Sequence, residues 1–393
     1  MQTAETRAAT VPTAPPRDRL RRFCFLSEPD CVAALAAEAD LGADTRQQVT
    51  GHAADLVRRV RTEQRPTMME SFLSEYGLST EEGVGLMCLA EALLRVPDND
   101  TIDELISDKI EPGNWQAHLG QASSSLVNAT TWALLLTGRV LDDDAATGSS
   151  PVAALRGFVK RVGEPVVRVA VGRAMRILGE QFVLGETIED GVRKARANEQ
   201  RGVTYSYDML GEAARTAADA DRYFDAYAHA IRTAGQSATG DIRTSPGISI
   251  KLSALHPRYE WTQRDRVHAE LVPRVEALVR QAADLGIGLN IDAEEANRLD
   301  LSLDVVERII GDPKTQGWDG LGVVVQAYGR RARPLIDWLS ELSDAHDRRI
   351  MVRLVKGAYW DTEVKRAQVL GLSGFPVFTH KPATDISYIA NAR

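Results

Sequence analysis

The run Met351-Val352-Arg353-Leu354-Val355-Lys356-Gly357-Ala358-Tyr359-Trp360 carries the pattern that decides the fold: an apolar, β-branched strand followed by a cation and small residues. Other short runs of strand-forming residues lie at 203–208, 247–253, 288–293, 320–328 and 376–380. Amphipathic helical segments separate these runs, at 266–285, 302–310 and 332–346. Strands that alternate with helices predict βαβ units and a parallel sheet.

Polar residues recur where the predicted strands end, at Asp208, Lys251, Asp292, Gln326, Lys356 and Lys381. A (β/α)8 barrel keeps its active site at this end of its strands. A dinucleotide-binding sheet would instead need G-x-G-x-x-G after its first strand, and the sequence has no such motif there. We therefore predict an α/β fold of the (β/α)8 type, with six of its eight units visible.

The segments before the barrel have a different character. Residues 1–18 are rich in Ala, Thr and Pro, which predicts a disordered tail. Residues 19–140 place apolar side chains at helical spacing and predict a helical arm suited to dimerisation. Residues 141–200 are interpreted as a linker with a helical segment, and residues 201–393 as the barrel.

Composition excludes several classes of protein. The 44% hydrophobic and 26% charged content indicates an ordinary soluble globular chain, and the formal net charge of -8 disfavours a nucleic-acid partner. The three cysteines form no disulfide framework or metal-ligand spacing. The chain has no apolar run of the ~18–20 residues that a membrane span needs and no signal peptide. We expect a cytoplasmic protein that at most touches a membrane surface.

Three candidate sites at strand ends each have a plain structural alternative. Lys251 would present a compact positive charge to an anionic substrate group, or is simply a solvated strand-end lysine. Residues 290–295 contain three acids, which suggests acid/base chemistry or the first turn of the next helix; without nearby histidines no metal is predicted. Gln326, the one amide in a β-branched run, faces a polar ligand or is a satisfied buried glutamine.

Arg353 and Lys356 place two cations on a strand that is predicted to be buried, and buried cations require partners. An anionic cofactor would supply them, and Gly357 with Ala358 would allow its close approach. An internal ion-pair network with Asp292 is the alternative. Residue types that bind phosphate follow the next predicted strand, at Thr379, Lys381 and Thr384.

Several runs of this sequence, in order, resemble the proline dehydrogenase barrel of the bacterial proline utilization A family: 205–213, 251–259, 290–295, 326–328 and 353–360. Residues 75–83 and 163–165 are similar to its helical arm, so the resemblance covers about residues 20–393. It implies FAD as cofactor and L-proline as substrate. Hydride would pass from the ring carbon beside nitrogen to flavin N5, giving Δ1-pyrroline-5-carboxylate. Electrons would continue to a membrane quinone, so the protein would contact the inner face of the membrane transiently. The predicted helical arm is compatible with a homodimer.

The resemblance also implies roles for single residues. Lys251 would pair with the proline carboxylate, Asp208 would belong to the polar set around it, and Tyr359 would pack on substrate or flavin. Arg353 and Gln326 would hydrogen-bond the isoalloxazine near N5 and its carbonyls. The rest of FAD would be lined by Lys356, Gly357, Ala358, Trp360, Thr379, Lys381 and Thr384, with Asp292 at the strand end on the flavin side.

The sequence departs from the family pattern at both ends. The N-terminal segment is too short and too rich in proline for the ribbon-helix-helix segment of longer members. The last two barrel strands, a helix that grips the proline carboxylate and an aldehyde dehydrogenase would all follow Arg393. We therefore expect an N-terminal part of a bifunctional enzyme that is weakly active or inactive alone. The alternative is a helical docking or dimerisation module with a catalytically incomplete barrel.

Overall fold

The structure is a computed structural model that describes residues 15–24, 26–63 and 183–393. The chain divides into two compact units, one of Met1–Gly42 with Thr187–Arg393 and one of Ala43–Glu186. Most of the predicted helical arm and the first part of the predicted linker, residues 64–182, lie outside the described residues. No helix within the described ranges has both the length and the apolar character of a membrane span.

Three helices are described in the N-terminal region: α1 (Asp18–Arg22), α2 (Glu28–Glu38) and α3 (Ala43–Glu63). The first two belong to the first unit and α3 belongs to the second. Helix α2 begins where the Ser27 hydroxyl accepts a hydrogen bond from the backbone N–H of Asp30, which satisfies one of the free donors of its first turn.

The segment just before α1 is packed, although residues 1–18 were predicted to be disordered. Arg17 is buried, donates to Asp304 Oδ1 at 2.8 Å and lies over the ring of Trp338. The Trp338 indole in turn donates to the carbonyl of Pro15 at 2.9 Å. The prediction of disorder is wrong for residues 15–18, because composition does not reveal that Arg17 pairs with the buried carboxylate of Asp304.

The first unit is built on a five-stranded parallel sheet in the order β1-β2-β3-β4-β5. The strands are β1 (Ser206–Asp208), β2 (Gly247–Ile250), β3 (Gly288–Ile291), β4 (Leu321–Gln326) and β5 (Met351–Val355). The longer helices are α4 (Ile188–Glu199), α5 (Ala217–Gly235), α6 (Val272–Asp284), α7 (Leu299–Ile310), α8 (Ala332–His346), α9 (Trp360–Val369) and α10 (Lys381–Ala392). This arrangement confirms the prediction of an α/β fold with a parallel sheet.

Short helical segments complete the connections, at Leu252–Leu255, Trp261–Gln263, Arg264–Arg266, Val267–Leu271, Ala296–Arg298 and Pro313–Thr315. The core lies between the sheet and its helices. Ile248, Leu289 and Val325 on the strands are fully buried, as is Ile231 on α5. Each helix buries one apolar stripe because its apolar residues recur at helical spacing.

Residues 376–380 do not form the predicted sixth strand. Val377 makes an isolated antiparallel bridge with Gly329, and the Phe378 N–H donates to the Tyr328 carbonyl at 2.8 Å. The segment therefore pairs with the turn after β4 instead of adding a parallel strand beside β5. Its β-forming residues show only that the backbone is extended; the pairing partner is a tertiary choice.

Candidate functional site

Lys251 is the centre of a charged cluster at the carboxyl ends of the first three strands. It follows β2 directly, and its Nζ donates to Asp208 Oδ1 and to Asp292 Oδ2, both at 2.9 Å. Asp208 ends β1 and Asp292 follows β3, so the parallel register brings all three side chains to one edge of the sheet. The site residues predicted at these three strand ends therefore converge.

The electrostatics of this lysine cluster are asymmetric. Burial disfavours the charge of Lys251, but the hydrogen bonds and charges of Asp208 and Asp292 outweigh it, so the pKa of Lys251 is raised. Burial also makes the charged form of Asp292 unfavourable and so raises the pKa of Asp292; the hydrogen bond and charge of Lys251 oppose this shift, and the charge of Asp208 adds to it. One ammonium between two carboxylates leaves the cluster with a formal charge of −1 when all three groups are ionised.

Arg353 on β5 reaches across the sheet to its first two strands. Its Nη1 donates to Ser249 Oγ at 2.9 Å and its Nη2 donates to Ser206 Oγ at 2.6 Å. In a flat sheet the first and fifth strands would lie about 19 Å apart, given a spacing of about 4.8 Å between neighbours. The bond to Ser206 therefore requires a strongly curved sheet whose concave face holds the guanidinium.

Neither cation of the β5 segment is part of an ion-pair network with Asp292. The hydrogen bonds of Arg353 to described residues go to neutral hydroxyls, and Lys356 Nζ pairs with Asp385 at 2.6 Å. The predicted burial of this strand is also wrong, since Val352 is exposed and Lys356 is half exposed. As the edge strand of the described sheet, β5 is covered on fewer sides than β2, β3 or β4.

Tyr359 connects the segment after β5 with the segment after β1. Its hydroxyl donates to Glu212 Oε2 at 3.1 Å, and its backbone N–H donates to the hydroxyl of Tyr328 at 3.3 Å. Burial and, secondarily, the charge of Glu212 raise the pKa of the Tyr359 phenol. The Tyr359 hydroxyl is thus a neutral hydrogen-bond donor that joins the segments after β5 and β1.

Gln326 uses both ends of its amide on backbone groups. Its Nε2 donates to the Glu294 carbonyl at 2.9 Å, and its Oε1 accepts from the Ala358 N–H at 3.0 Å. The structure therefore shows the satisfied glutamine that the sequence left open. Gln326 holds the segment after β3 against the segment after β5.

Gly357 has φ +138°, and a Cβ there would lie 2.5 Å from the Tyr328 ring. The sequence predicted that this glycine allows close approach of an anionic cofactor; in the structure the group that lies against it is the Tyr328 ring. The Trp360 indole, on the first residue of α9, donates to the Phe378 carbonyl at 2.9 Å.

The residues predicted to bind phosphate lie around the start of α10, and some are already partnered. Lys381 and Lys356 share Asp385, with Lys381 Nζ 2.8 Å from its Oδ2. Thr379 donates its N–H to Glu28 Oε1 at 2.9 Å, and its hydroxyl also contacts this carboxylate. Thr384 is buried. The two lysines and one aspartate leave a formal charge of +1 beside the helix start.

Several site residues were missed by the sequence analysis: Ser206, Ser249 and Glu212. Small hydroxyls inside strands are too common to stand out, and Glu212 is one acid among many on the chain. For Glu294 and Glu295 the sequence left open acid/base chemistry or the first turn of the next helix; Glu295 is the N-cap of Ala296–Arg298, and the Glu294 carboxylate accepts from the Ser253 N–H at 3.0 Å. The described residues contain no group of three or more metal-ligating side chains.

Three family models match successive parts of this chain. Residues 192–393, about half of the chain, match the family model described as proline dehydrogenase. The chain belongs to the proline dehydrogenase family. Residues 15–61 match the N-terminal domain model of proline utilization A proline dehydrogenase. Residues 68–182 match a model described as the DNA-binding domain of proline dehydrogenase, which runs against the expectation of no nucleic-acid partner; they lie outside the described residues.

Relatives of this proline dehydrogenase family member are long proteins. The bifunctional protein PutA of Salmonella typhimurium is 50% identical over 371 residues, which is 93% of this chain and 28% of that protein. The Rhizobium meliloti protein of the same name is 47% identical over 383 residues, covering 96% of this chain and 31% of its own length. A crystal structure of Bradyrhizobium japonicum proline utilization A matches with a TM-score of 0.65 and 44% identity, over 97% of this chain and 37% of that one.

Proposed function

We propose that the chain carries the flavin-dependent proline dehydrogenase site of a bifunctional protein, oxidising L-proline to Δ1-pyrroline-5-carboxylate with a quinone as electron acceptor. The observation that carries this proposal is that one curved parallel sheet brings together the lysine cluster and the guanidinium of Arg353. The lysine cluster of Asp208, Lys251 and Asp292 lies at the ends of the first three strands, and Arg353 reaches the first two strands from β5.

The lysine cluster suits an amino acid with both charges. Lys251 offers its ammonium to the substrate carboxylate, while the net negative charge of the cluster attracts the ring ammonium of proline. Lys251 keeps its charge at neutral pH because two carboxylates stabilise it. Tyr359, held by Glu212 and Tyr328, supplies a flat wall against which a five-membered ring or a flavin packs.

The residues present fit FAD. Arg353 has a positive charge that no contacting carboxylate among the described residues neutralises, and it would face the isoalloxazine together with Gln326. The +1 group of Lys356, Lys381 and Asp385 would face the phosphates. When bound, FAD supplies the acceptor for the hydride that leaves proline. Arg353 would bind the flavin and stabilise negative charge near its N5, because the guanidinium is a fixed cation that needs no reorganisation.

Thr379 is the least free of the proposed FAD contacts, since Glu28 already accepts from its N–H and hydroxyl. The remaining proposed contacts, from Gly357, Ala358, Trp360 and Thr384, lie on the same segments as Lys356 and Lys381. Asp292 lies beside Lys251 and would be on the flavin side of the site.

The finer features of the proposal follow from the family. The curved sheet would be part of a (β/α)8 barrel, and the aldehyde dehydrogenase would belong to the same polypeptide. Quinone reduction would bring the protein from the cytoplasm to the inner face of the membrane. A second candidate function, DNA binding, rests on the family model matched by residues 68–182. A fluorescence anisotropy titration with duplex DNA tests it, and no binding at low salt would remove it.

The test of the proposed function measures bound flavin by its absorbance in the blue and proline-dependent reduction of a dye by the purified full-length bifunctional protein, because residues 1–393 alone are expected to be weakly active or inactive. We expect a yellow protein whose proline activity is lost in Lys251→Met while the flavin is retained. Hydroxyproline and glycine serve as control substrates. A protein that binds no FAD, or whose dye reduction does not depend on proline, would overturn the proposal.

A further inference from the structure

Glu363 is a buried acid that the proposed reaction does not use. It lies on α9 with 2% of its surface exposed, and its Oε1 accepts a hydrogen bond from the backbone N–H of Ala296 at 2.5 Å. Burial raises the pKa of Glu363, against the effect of that hydrogen bond. Burying a carboxylate costs free energy, so an apolar residue would be expected at this position unless the hydrogen-bond acceptor is needed.

The donor that Glu363 binds is the first N–H of a helical run. Ala296–Arg298 is a 3-10 turn that continues directly into α7, and the first N–H groups of a helix have no partner inside it. A carboxylate at that position is favoured by hydrogen bonding and by the positive end of the helix dipole. Glu363 therefore caps this helix from another helix, 67 positions away in the chain.

The capped helix start belongs to a segment that carries the lysine cluster's buried acid. We call residues 292–298 the β3 loop. Asp292 at its start holds Lys251, and Gln326 donates to the Glu294 carbonyl in its middle. At its end, Arg331 donates to the Ala296 carbonyl and Glu363 accepts from the Ala296 N–H. Glu363 is the member of this set that lies on α9, three residues after Trp360 and four after Tyr359.

We propose that Glu363 is a positioning residue for the proline site, which fixes the β3 loop, and through it Asp292 and Lys251, relative to the segment after β5. This inference rests on the proposed function. The geometry favours it over a purely local cap, because the bond joins the two segments that carry the proposed substrate and flavin contacts. Releasing it frees the β3 loop at its helical end, whereas α9 keeps its other packing.

The test compares four variants of the purified full-length bifunctional protein. Glu363→Leu removes the acceptor at similar volume, and Glu363→Gln keeps an acceptor without the charge. Ala296→Pro removes the donor instead; proline is tolerated at the first helical position, and Glu295 already has the extended backbone (φ -62°, ψ 150°) that precedes proline. Asp361→Asn is the control, because Asp361 is an exposed acid on the same helix.

Two readouts are taken for each variant, one of which does not depend on activity. Hydrogen exchange of peptides covering residues 292–300 should be about tenfold faster in Glu363→Leu, the effect of losing one hydrogen bond to a buried donor. The KM for proline should rise at least about fivefold in Glu363→Leu and Ala296→Pro with a smaller change in kcat, as expected when binding geometry is lost. Glu363→Gln and Asp361→Asn should match the wild type in both.

The outcomes separate the two proposals. Unchanged exchange in Glu363→Leu, or a KM that stays at the wild-type value although exchange is faster, overturns the positioning role and leaves the proposed function intact. Faster exchange together with a higher KM, both rescued by glutamine, supports it. If Glu363→Leu does not fold, Ala296→Pro decides by the same KM criterion. If dye reduction by the wild-type protein does not depend on proline, the proposed function itself is overturned, and the positioning role for proline with it.

Discussion

Arg353 Nη2 lies 2.6 Å from Ser206 Oγ, although the two residues are on the fifth and first strands of the sheet, 147 positions apart in the chain. A second bond, from Arg353 Nη1 to Ser249 Oγ, ties the same guanidinium to the second strand. These contacts show that the sheet is curved and that a fixed positive charge occupies its concave face. The following predictions concern this charge and the groups around it.

Removing the guanidinium should weaken FAD binding. We expect Arg353→Met to bind FAD about tenfold to a hundredfold less tightly, the range for one charge-assisted hydrogen bond. The double variant Ser206→Ala/Ser249→Ala keeps the charge and removes the two hydroxyl partners, so its affinity should fall much less. Titration of the FAD-free protein, followed by flavin fluorescence, measures both. An equal loss in the two proteins would mean that the position of Arg353, and not its charge, dominates.

The lysine cluster should show a graded effect on stability. Lys251→Met leaves Asp292 buried without its partner and should lower the free energy of unfolding by about 2–4 kcal/mol, somewhat less than for a fully buried pair. Asp208→Asn should cost under about 1 kcal/mol, because half of that side chain is exposed, with 51% against 13% for Asp292. Urea unfolding measures both, and a reversed order would contradict the assignment of Asp292 as the buried partner.

The stabilisation from Lys251 should persist at alkaline pH. Its pKa is raised above the usual value, so its contribution is fully present below the unfolded-state pKa near 10.4 and is lost only as the pH rises through the higher folded-state value. The difference in unfolding free energy between wild type and Lys251→Met should therefore stay constant from pH 7 to pH 10. A difference that shrinks within that range would show that the two carboxylates do not hold the proton on Lys251.

Two glycines with positive φ separate steric contact from backbone strain. Gly357→Ala should cost about 3 kcal/mol or more, since φ is +138° and the added Cβ would meet the Tyr328 ring at 2.5 Å. Gly371→Ala should cost about 1 kcal/mol, since φ is +62° and nothing lies within 4 Å of the new Cβ. Thermal unfolding of both variants measures the difference; similar costs would mean that Tyr328 gives way.

Glu363 and Glu270 should give pH dependences of opposite sign. Burial raises the pKa of Glu363, so protonation of this carboxyl contributes to the free energy of unfolding. That contribution is fully present below about pH 4.5 and is lost as the pH rises through the folded-state pKa. Glu363→Gln should gain stability relative to wild type as the pH rises from 4.5 toward neutral. Arg266 and then His256 lower the pKa of Glu270 to about 2, so Glu270→Gln should differ from wild type above pH 4.5 and lose that difference as the pH falls toward 2. Chemical unfolding from pH 3 to pH 8 checks both signs.

Much of the fold could be predicted because it depends on near neighbours in the chain. The strands β1 to β5 lie within the predicted β-rich runs, and α8 spans the predicted 332–346. The segment 376–380 failed because its composition specifies an extended backbone but not the strand that it pairs with. The tail prediction failed at residues 15–18 for a similar reason, since the partner of Arg17 is Asp304, 287 positions away.

By itself, the sequence determined the alternation of strands and helices and the presence of polar residues at strand ends, because periodicity and propensity are local properties. Only the tertiary structure decided which of those residues meet. Lys251 lies between Asp208 and Asp292 because parallel strands end at one edge, whereas Arg353 meets Ser206 because the sheet curves. Glu363 meets Ala296 because α9 packs beside the β3 loop. Such contacts depend on the curvature and packing of whole elements, which no local pattern encodes.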